Sequence, residues 1–440
     1  MNSPLTQKDF YKTDHHNQYP EGTEMVYSNF TPRSSKRFNG ISEYWDNKIV
    51  WMGLQAVIKD FRIKEFNDDF FNRPRGKAVK AYKRRLDTSL GPDSVDVENI
   101  YALHDLGYLP LEIRSLHEGS RVNIGVPPMT IHSTHKDFGW LVNSLETVLS
   151  AELWPVATVA TIAYEFRKIL SKWAYVTGAP SDFVGLQGHD FSFRGLPGRH
   201  AAKRMGMGHL ASFIGTDTIP AIDGIEEWYG DDAESYLIGT SVPATEHSVM
   251  CMGGAGDGEM ETFRRLINDK YPTGIISIVS DTWDYWKVIT EYLPLLKDEI
   301  MARQPNAIGL NKVVIRPDSG DPIRIIAGYE GIYEADQVTA GLTKREVIAW
   351  AKKSERRIGK FEVLKMDGKF WYMEDPDKEL TEAEVKGSIE CMWETFGGTI
   401  SEEGFKMLDE HIGLIYGDSI TMQRADEILR RLANKGFASN

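Results

Sequence analysis

The sequence predicts an α/β protein that contains an irregular parallel βα barrel. Three short apolar runs, at residues 275–281, 313–318 and 412–418, each end on an acid that lies next to small or polar residues. The first and third runs lead into helical patterns at residues 283–295 and 421–433. Short buried strands that alternate with helices are typical of parallel βα units. These observations place the barrel in the C-terminal part of the chain.

The elements before residue 150 have a different character. Strand-like runs at residues 25–30 and 122–126 alternate with charged helical stretches. We therefore expect an N-terminal mixed α/β domain over residues 1–150 and the barrel domain over residues 151–440. The barrel domain begins with a long pattern over residues 153–176, in which apolar residues recur at helical spacing.

An inserted subdomain is expected at about residues 325–410. One helix follows a capping box formed by Thr343 and Glu346. Two strand-like runs come next, joined at residues 367–368 by Asp-Gly, a pair typical of a two-residue hairpin turn. A second capping box at residues 381–384 begins another helix. We interpret this region as a surface elaboration without chemistry of its own.

Composition argues against several classes of protein. The 51 basic and 64 acidic residues give a net charge of −13, so no overall field attracts nucleic acid or an anionic membrane. Cys251 and Cys391 are too few for a disulfide framework or a zinc cluster. The first residues are polar, and no run reaches the roughly 18–20 apolar residues of a membrane span. We expect a soluble cytoplasmic protein with no nucleic-acid or membrane partner.

Residues 188–195 form the first candidate site. This glycine-bounded segment combines an imidazole, an acid, two aromatic rings and the guanidinium of Arg194, which suits a flat ring held beside an anion. Phe191 is the candidate for the ring contact, with core packing as the alternative. A second polar island with Asp217 follows about one helix length later. His247, after another apolar run, is consistent with either a catalytic or a structural histidine.

The acids at the strand ends form the second candidate site. Ligands of parallel sheets bind beyond the carboxyl ends of the strands, so Asp281, Asp318 and Asp418 are expected to face one pocket. The alternative is that each aspartate caps the next helix. Carboxylates suit sugar hydroxyls and Mg²⁺, which is commonly shared with substrate phosphates. The glycine-rich run at residues 253–258 matches no phosphate-binding pattern, and we expect a flexible loop there.

Together these motifs resemble the nicotinamide phosphoribosyltransferase family, in its long microbial and phage form. The resemblance extends from Asp9 to about Gly436 and implies a type II phosphoribosyltransferase fold. It implies that nicotinamide and phosphoribosyl pyrophosphate are converted to nicotinamide mononucleotide and pyrophosphate, in NAD salvage. The matching segments are DFYK at 9–12, HDF at 189–191 with RG at 194–195, GTDT at 215–218, SVPATEHS at 241–248, IRPDSG at 315–320 and GD at 417–418.

The resemblance implies a clamp around nicotinamide. Phe191 would stack on one face of the ring, and Tyr11 of the other subunit would cover the second face. Asp217 would accept a hydrogen bond from the carboxamide, and Arg316 would line the base and ribose sites. Since the Asp217 carboxylate attracts an amide NH₂ and repels the carboxylate of nicotinate, nicotinamide is the expected base.

The resemblance also implies a phosphoribosyl site. Asp318, with Gly417 and Asp418, would hold the ribose hydroxyls, and Asp318 is the candidate ligand for Mg²⁺ shared with pyrophosphate. Arg194 would contact phosphate, and His247 matches the histidine that family members phosphorylate from ATP. The expected catalytic residues are thus His247, Asp318 and Arg316, and the further substrate contacts are Asp281 and Ser319.

The family assembles as a head-to-tail homodimer with active sites at the interface. Its members continue beyond the helix that ends near Gly436 with a strand and a glycine-rich turn for the 5′-phosphate, so we expect this segment to be missing here. Three alternatives stay open. They are a nicotinate phosphoribosyltransferase, a catalytically impaired homologue that binds ligand or only dimerises, and an unrelated barrel hydrolase that uses Asp281 and Asp318.

Overall fold

The computed structural model describes residues 3–34, 44–307, 309–335, 339, 341–358 and 360–439, the side chains of residues 354–358 excepted. Two compact units are present: Met1–Arg167 with Gly185–Thr240, and Lys168–Val184 with Ser241–Asn440. The domain boundary at residue 150 stays a prediction. Residues 336–338, 340 and 359 of the expected insert lie outside the described residues.

The first unit begins with small antiparallel sheets. Tyr27–Phe30 and Leu111–Ser115 both pair with the central strand Met129–Ser133, and Lys48–Val50 pairs with Arg121–Asn123. The helices of this region are Pro4–Thr6, Phe10–Lys12, His15–Gln18, Leu54–Val57, Ile58–Glu65, Asn67–Phe71, Arg75–Leu90, Glu98–Leu106, Lys136–Phe138 and Leu141–Ser144.

Aromatic side chains fill the core of this region. Trp51, Phe66, Phe70 and Tyr82 are almost fully buried and pack in one apolar cluster. Tyr82 lies on the helix Arg75–Leu90, and the buried residues of this helix recur at helical spacing. The expected mixture of short strands and helices is therefore present before residue 150.

Parallel strands follow in the same unit. His189–Asp190 pairs in parallel with Gly215–Thr216, and Gly215 also forms a parallel bridge with Thr240. The helix Arg199–Leu210 connects the two strands, and Ile219–Tyr229 follows the second. The connecting helix packs closely, because a Cβ on Gly208 would lie 2.7 Å from the carbonyl oxygen of Val156. Two short helices, Val184–Gln187 and Phe193–Gly195, complete this part.

The second unit is built on the three predicted strand runs. Val313–Arg316 is the central strand, parallel to Ile276–Val279 on one side and to Ile412–Leu414 on the other. Ala244 adds a parallel bridge to Ser277. A continuous helical stretch from Tyr285 to Leu295 follows the first strand, and Met422–Asn434 follows the last. The predicted α/β class with parallel βα units is confirmed.

The remaining elements of the second unit surround this sheet. Its apolar cluster joins the strands to helices that include Ser388–Phe396 and Met422–Asn434. The hairpin Gly398–Ile400 and Lys406–Leu408 precedes the last parallel strand. The other helices are Ser181–Phe183, His247–Gly256, Glu259–Arg265, Leu266–Lys270, Lys297–Met301, Pro322–Ala327, Lys344–Ile358 and Glu382–Lys386.

The predicted insert contains its own sheet, in the order Ile332–Glu334, Val363–Met366, Lys369–Tyr372, Asp375–Leu380. The hairpin turn is as predicted, with positive φ angles of 53° and 77° at residues 367 and 368. The hydrogen bonds of both predicted capping boxes are also present. A Cβ on Gly387 would lie 2.3 Å from the nitrogen of Gly328, so the chain leaves and returns at one place at residues 328 and 387, within the predicted bounds of about 325–410. The helix Ser388–Phe396, also within those bounds, packs in the main apolar cluster of the unit.

The expectation of a flexible loop at residues 253–258 is wrong. Gly253 and Gly254 belong to the helix His247–Gly256. A Cβ at Gly253 would lie 2.4 Å from the hydroxyl of Thr262, and one at Gly254 would lie 2.0 Å from the ring of Trp283. These glycines therefore allow a helix to approach its neighbours closely.

The long helical pattern is confirmed as the 32-residue helix Glu146–Thr177. By length and apolar composition alone, this helix could cross a membrane. Core helices of soluble proteins meet the same two criteria. Leu149, Leu153, Val156 and Ala160 on this helix pack into apolar clusters of the first unit. This packing is what a core helix requires.

Candidate functional site

The first candidate site lies at the carboxyl ends of two strands in the first unit. His189 is opposite Gly215 and Asp190 is opposite Thr216, so Phe191 and Asp217 follow at the same edge. His189 Nε2 lies 2.9 Å from Asp217 Oδ1. The imidazole also lies against the Phe191 ring, with 4.5 Å between ring centroids and 31° between planes. The His189 imidazole thus contacts both an aromatic ring and a carboxylate.

Glycines make room for this arrangement. A Cβ on Gly215 would lie 2.8 Å from His189 Nδ1, and one on Gly188 would lie 2.6 Å from the Phe213 ring. Either contact would displace a ring that borders the edge. Gly215 therefore allows close packing against the His189 imidazole, and Gly188 allows it against the Phe213 ring.

His189 was absent from the expected contact residues, yet it is the residue that joins Phe191 to Asp217. Because its Nε2 lies within hydrogen-bond distance of the carboxylate, it fixes the orientation of Asp217. Its position on the strand His189–Asp190, one residue before the turn, is the feature of the sequence that could have indicated this role. Which strand lies alongside cannot be read from that segment alone.

Asp190 shapes the turn that carries Arg194. It is buried, its Oδ1 accepts a hydrogen bond from the Ser192 backbone nitrogen at 2.8 Å, and its Oδ2 has no partner among the described residues. The helical turn Phe193–Gly195 follows. Arg194 is exposed and forms no ion pair within the described part of the chain. Its guanidinium is therefore available to an anion.

Tyr11 lies at the surface of the first unit, with 66% of the residue exposed. The neighbouring Lys12 is buried and pairs with Glu146, and its Nζ lies 5.0 Å from the centroid of the Tyr11 ring. The centroid of the His15 ring lies 5.6 Å from the centroid of the Tyr11 ring. One side of Tyr11 is thus supported while most of its surface remains uncovered.

The second candidate site, in the second unit, centres on Asp281, whose side chain is only 5% exposed. It accepts hydrogen bonds from the Ser319 hydroxyl at 2.6 Å and from the Asp318 backbone nitrogen at 3.0 Å. His247 Nε2 lies 3.3 Å away. Burial alone would raise the pKa of Asp281, but these hydrogen bonds and the positive charge of His247 outweigh it and hold the pKa below its usual value. Asp281 is therefore an ionised acceptor that connects two loops.

Arg316 and Asp318 lie beside it, with Arg316 Nη2 3.4 Å from Asp318 Oδ2. Arg316 Nε is buried and has no hydrogen-bond partner among the described residues. A Cβ on Gly417 would lie 2.3 Å from Asp318 Oδ1, so only glycine permits this approach. Asp418, the next residue, is exposed. The loops after three neighbouring strands thus converge.

Tyr416 is a neighbour that the sequence did not indicate. Its hydroxyl donates to the carbonyl oxygen of Gly320 at 3.0 Å. Burial, followed by the negative charges of Asp281 and Asp418, raises the pKa of Tyr416 to about 12. The phenol therefore stays protonated and holds the loop after Val313–Arg316.

The alternative that the strand-end acids cap the following helices is wrong. Other residues, Asp284, Asp321 and Thr421, accept the capping hydrogen bonds. Asp281, Asp318 and Asp418 are left at the carboxyl edge of the sheet. Among the described residues, no group of three or more His, Cys, Asp or Glu side chains forms a metal cluster. The acids accordingly suit hydroxyl groups, or a cation that brings most of its own ligands.

The chain is similar to known enzymes over its whole length. Residues 186–440 match the nicotinate phosphoribosyltransferase family, and residues 3–75 match the N-terminal domain of nicotinamide phosphoribosyltransferase. A nicotinamide phosphoribosyltransferase of Acinetobacter baylyi is 50% identical over 438 residues, covering 100% of this chain and 77% of the relative. One from Mycoplasma pneumoniae is 28% identical, covering 98% of this chain and 82% of the relative. The crystal structure of human nicotinic acid phosphoribosyltransferase is 17% identical with a TM-score of 0.45, covering 80% of this chain and 65% of that one.

Proposed function

The chain belongs to the nicotinate phosphoribosyltransferase family, and from this membership we infer that it transfers a phosphoribosyl group to nicotinamide. The ring nitrogen of nicotinamide replaces pyrophosphate at the ribose carbon of phosphoribosyl pyrophosphate. The products are nicotinamide mononucleotide and pyrophosphate, a step of NAD salvage. The observation that carries the choice of base is the Asp217 carboxylate, which His189 holds next to the Phe191 ring.

The chemistry of this edge favours an amide. The pyridine ring lies against Phe191, and the carboxamide NH₂ donates to Asp217. The carboxylate of nicotinate would meet a like charge there, which costs binding free energy. With the ring held, its nitrogen is oriented for attack, and such positioning lowers the barrier of a two-substrate reaction.

The second unit supplies the groups that the phosphoribosyl half requires. Asp318 and Asp418 accept hydrogen bonds from the ribose hydroxyls, and Gly417 leaves the space beside Asp318 Oδ1 that such a contact needs. Arg316 lies at the same edge as Asp318, and the exposed part of its side chain contacts the bound ribose or base. Arg194 of the first unit contacts phosphate. As the bond to pyrophosphate breaks, cations stabilise the leaving charge while carboxylates stabilise positive charge on the ribose.

Mg²⁺ and ATP complete the proposal. The carboxylate oxygens at Asp318 are hard donors that fit Mg²⁺, which when bound neutralises charge on pyrophosphate. His247 accepts the γ-phosphoryl group of ATP on an imidazole nitrogen, and ADP leaves. Asp281 orients the imidazole through its contact with Nε2 and stabilises positive charge on the ring.

We also propose a cytoplasmic homodimer in which Tyr11 of one subunit covers the nicotinamide bound by the other. The exposure of Tyr11 supports this arrangement, since an uncovered aromatic ring beside a charged lysine is suited to a partner surface.

The test compares bases in the parent and in Asp217→Asn, with phosphoribosyl pyrophosphate, Mg²⁺ and ATP present. The parent should prefer nicotinamide. In the variant, kcat/KM for nicotinamide should fall about 10- to 100-fold, as expected for loss of a hydrogen bond to a charged group. Turnover of nicotinate should rise relative to turnover of nicotinamide, because an asparagine NH₂ can donate a hydrogen bond to a carboxylate.

The matched control is Asp223→Asn, an exposed aspartate on the helix Ile219–Tyr229 of the same unit. It should leave both activities unchanged. A parent that prefers nicotinate would contradict the assignment of the base. A parent that forms neither mononucleotide would contradict the enzymatic proposal and favour the impaired homologue.

A further inference from the structure

Ser419, which directly follows Asp418, has an unusual backbone conformation. Its φ angle is 53°, in the left-handed region. The other described non-glycine residues with positive φ are Asn47, Asp93 and Asp367. Asparagine and aspartate tolerate this region, whereas serine does so at a cost. Contacts from elsewhere must therefore hold Ser419 in place.

Arg424 provides these contacts. Its Nη1 donates to the Ser419 carbonyl oxygen at 2.7 Å and to the Ser419 hydroxyl at 2.9 Å. Arg424 lies in the first turn of the helix Met422–Asn434, whose cap Thr421 accepts a hydrogen bond from the Arg424 backbone nitrogen. The helix thus presents the guanidinium from a fixed position, and one cation holds the carbonyl oxygen and the hydroxyl of the strained residue.

The turn that Arg424 holds is part of the second candidate site. Gly417 touches Asp318, and the Tyr416 hydroxyl bonds the Gly320 carbonyl. Tyr416 thus fixes the beginning of the turn and Arg424 fixes its end. Asp418 lies between these two points. A change of φ at Ser419 would redirect the backbone beside the Asp418 carboxylate.

We propose that Arg424 is a positioning residue for the second candidate site. It stabilises the left-handed Ser419 and thereby fixes Asp418. Arg424 acts through the turn and does not touch the substrate. The inference rests on the proposed function for its effect on catalysis. The stabilisation of Ser419 itself belongs to the fold and can be measured separately.

The kinetic test uses Arg424→Ala, Ser419→Gly and the double variant. Arg424→Ala should raise KM for phosphoribosyl pyrophosphate about tenfold, while KM for nicotinamide changes less than about twofold. Ser419→Gly should stay close to the parent, because glycine adopts positive φ without strain. The double variant should recover most of the affinity that Arg424→Ala loses.

This rescue distinguishes positioning from direct contact. If Arg424 bound a phosphate itself, glycine at residue 419 would restore nothing, and the proposal would be overturned. Unchanged KM in Arg424→Ala would overturn it as well. The control is Arg345→Ala, which removes an exposed arginine that pairs with Asp377, and it should have no effect on either KM.

Urea unfolding of the same variants separates this inference from the proposed function. Arg424→Ala should lower the midpoint, and the loss should be smaller in the Ser419→Gly background. This coupling is expected whether or not the parent forms nicotinamide mononucleotide. Additive losses would show that Arg424 does not stabilise the strained turn. Absence of product from the parent, with coupling intact, would count against the proposed function alone.

Discussion

Replacement of Arg62 by methionine should stabilise the first unit, because Arg62 is a buried cation with incomplete hydrogen bonding. Only 7% of the residue is exposed. Nη2 donates to the Leu145 carbonyl at 3.1 Å, but Nε and Nη1 have no partner among the described residues. Burial lowers the pKa of Arg62 to about 9 from 12.5. A charge in this position opposes folding at neutral pH.

The expected gain follows from these contacts. A pKa that falls from 12.5 to about 9 corresponds to about 5 kcal/mol at 1.36 kcal/mol per unit, and relaxation of the interior makes this an upper bound. The substitution also leaves the Leu145 carbonyl without its donor, at about 1–2 kcal/mol. It also removes the contact with the Phe61 ring, worth about 0.5–1 kcal/mol. A net gain of about 1–3 kcal/mol remains, since methionine fills a similar volume.

Arg303 provides the matched control in the second unit. Burial lowers its pKa as well, but its guanidinium donates to four carbonyl oxygens at 2.7–3.1 Å. Arg303→Met would leave these carbonyls without donors and should destabilise by about 3 kcal/mol or more. The same substitution is thus expected to have opposite signs at two buried arginines.

Calorimetry and urea unfolding at pH 7 measure both variants. Arg62→Met should raise the melting temperature of its transition by about 2–4 °C per kcal/mol. Because the folded pKa lies below the unfolded value, the unfolded chain binds the proton more tightly, and the advantage of the variant should shrink as pH rises above about 9. Destabilisation by Arg62→Met, or an unchanged midpoint in Arg303→Met, would refute the hydrogen-bond argument.

Two further predictions concern packing and acid stability. Gly208→Ala should cost about 1–3 kcal/mol of unfolding free energy, because the new Cβ would lie 2.7 Å from the Val156 carbonyl oxygen. The control Gly76→Ala should be neutral or stabilising, since a Cβ there has nothing within 4 Å. Equal urea midpoints for the two variants would contradict this prediction. Asp281→Asn should destabilise the second unit at pH 7. Since the folded pKa of Asp281 is lowered, its contribution to the unfolding free energy is present above about pH 4 and is lost as pH falls further. The difference in unfolding free energy between parent and variant should therefore narrow in acid, and a constant difference would contradict the prediction.

The parallel strands of the second unit could be predicted because each has a local signature. Short β-branched runs that end on an acid and lead into a helix identify both the strand and the edge where its acid lies. The hairpin turn at residues 367–368 could also be predicted from neighbouring residues alone, since the pair Asp-Gly favours this type of turn. Such features depend on residues close together in the sequence.

The glycine pair at residues 253–254 was misinterpreted for the opposite reason. A glycine-rich segment is compatible with a loop or with a closely packed helix, and the partners that decide, Thr262 and Trp283, lie elsewhere in the chain. The contacts of His189 with Asp217 and of Arg424 with Ser419 were missed likewise, because the first depends on strand pairing and the second on the left-handed backbone at Ser419. Spacing alone does not determine either contact.

The contact between Gly328 and Gly387 has an evolutionary consequence. A chain that leaves and re-enters a domain at one point can gain or lose the intervening module with little disturbance of its host. The sheet of the insert, whose ends meet at these glycines, has the geometry of such a graft. The salt bridges from Arg430 to Glu330 and from Arg431 to Glu362 attach this module to the helix Met422–Asn434, so a change of module would also leave these two arginines without their partners.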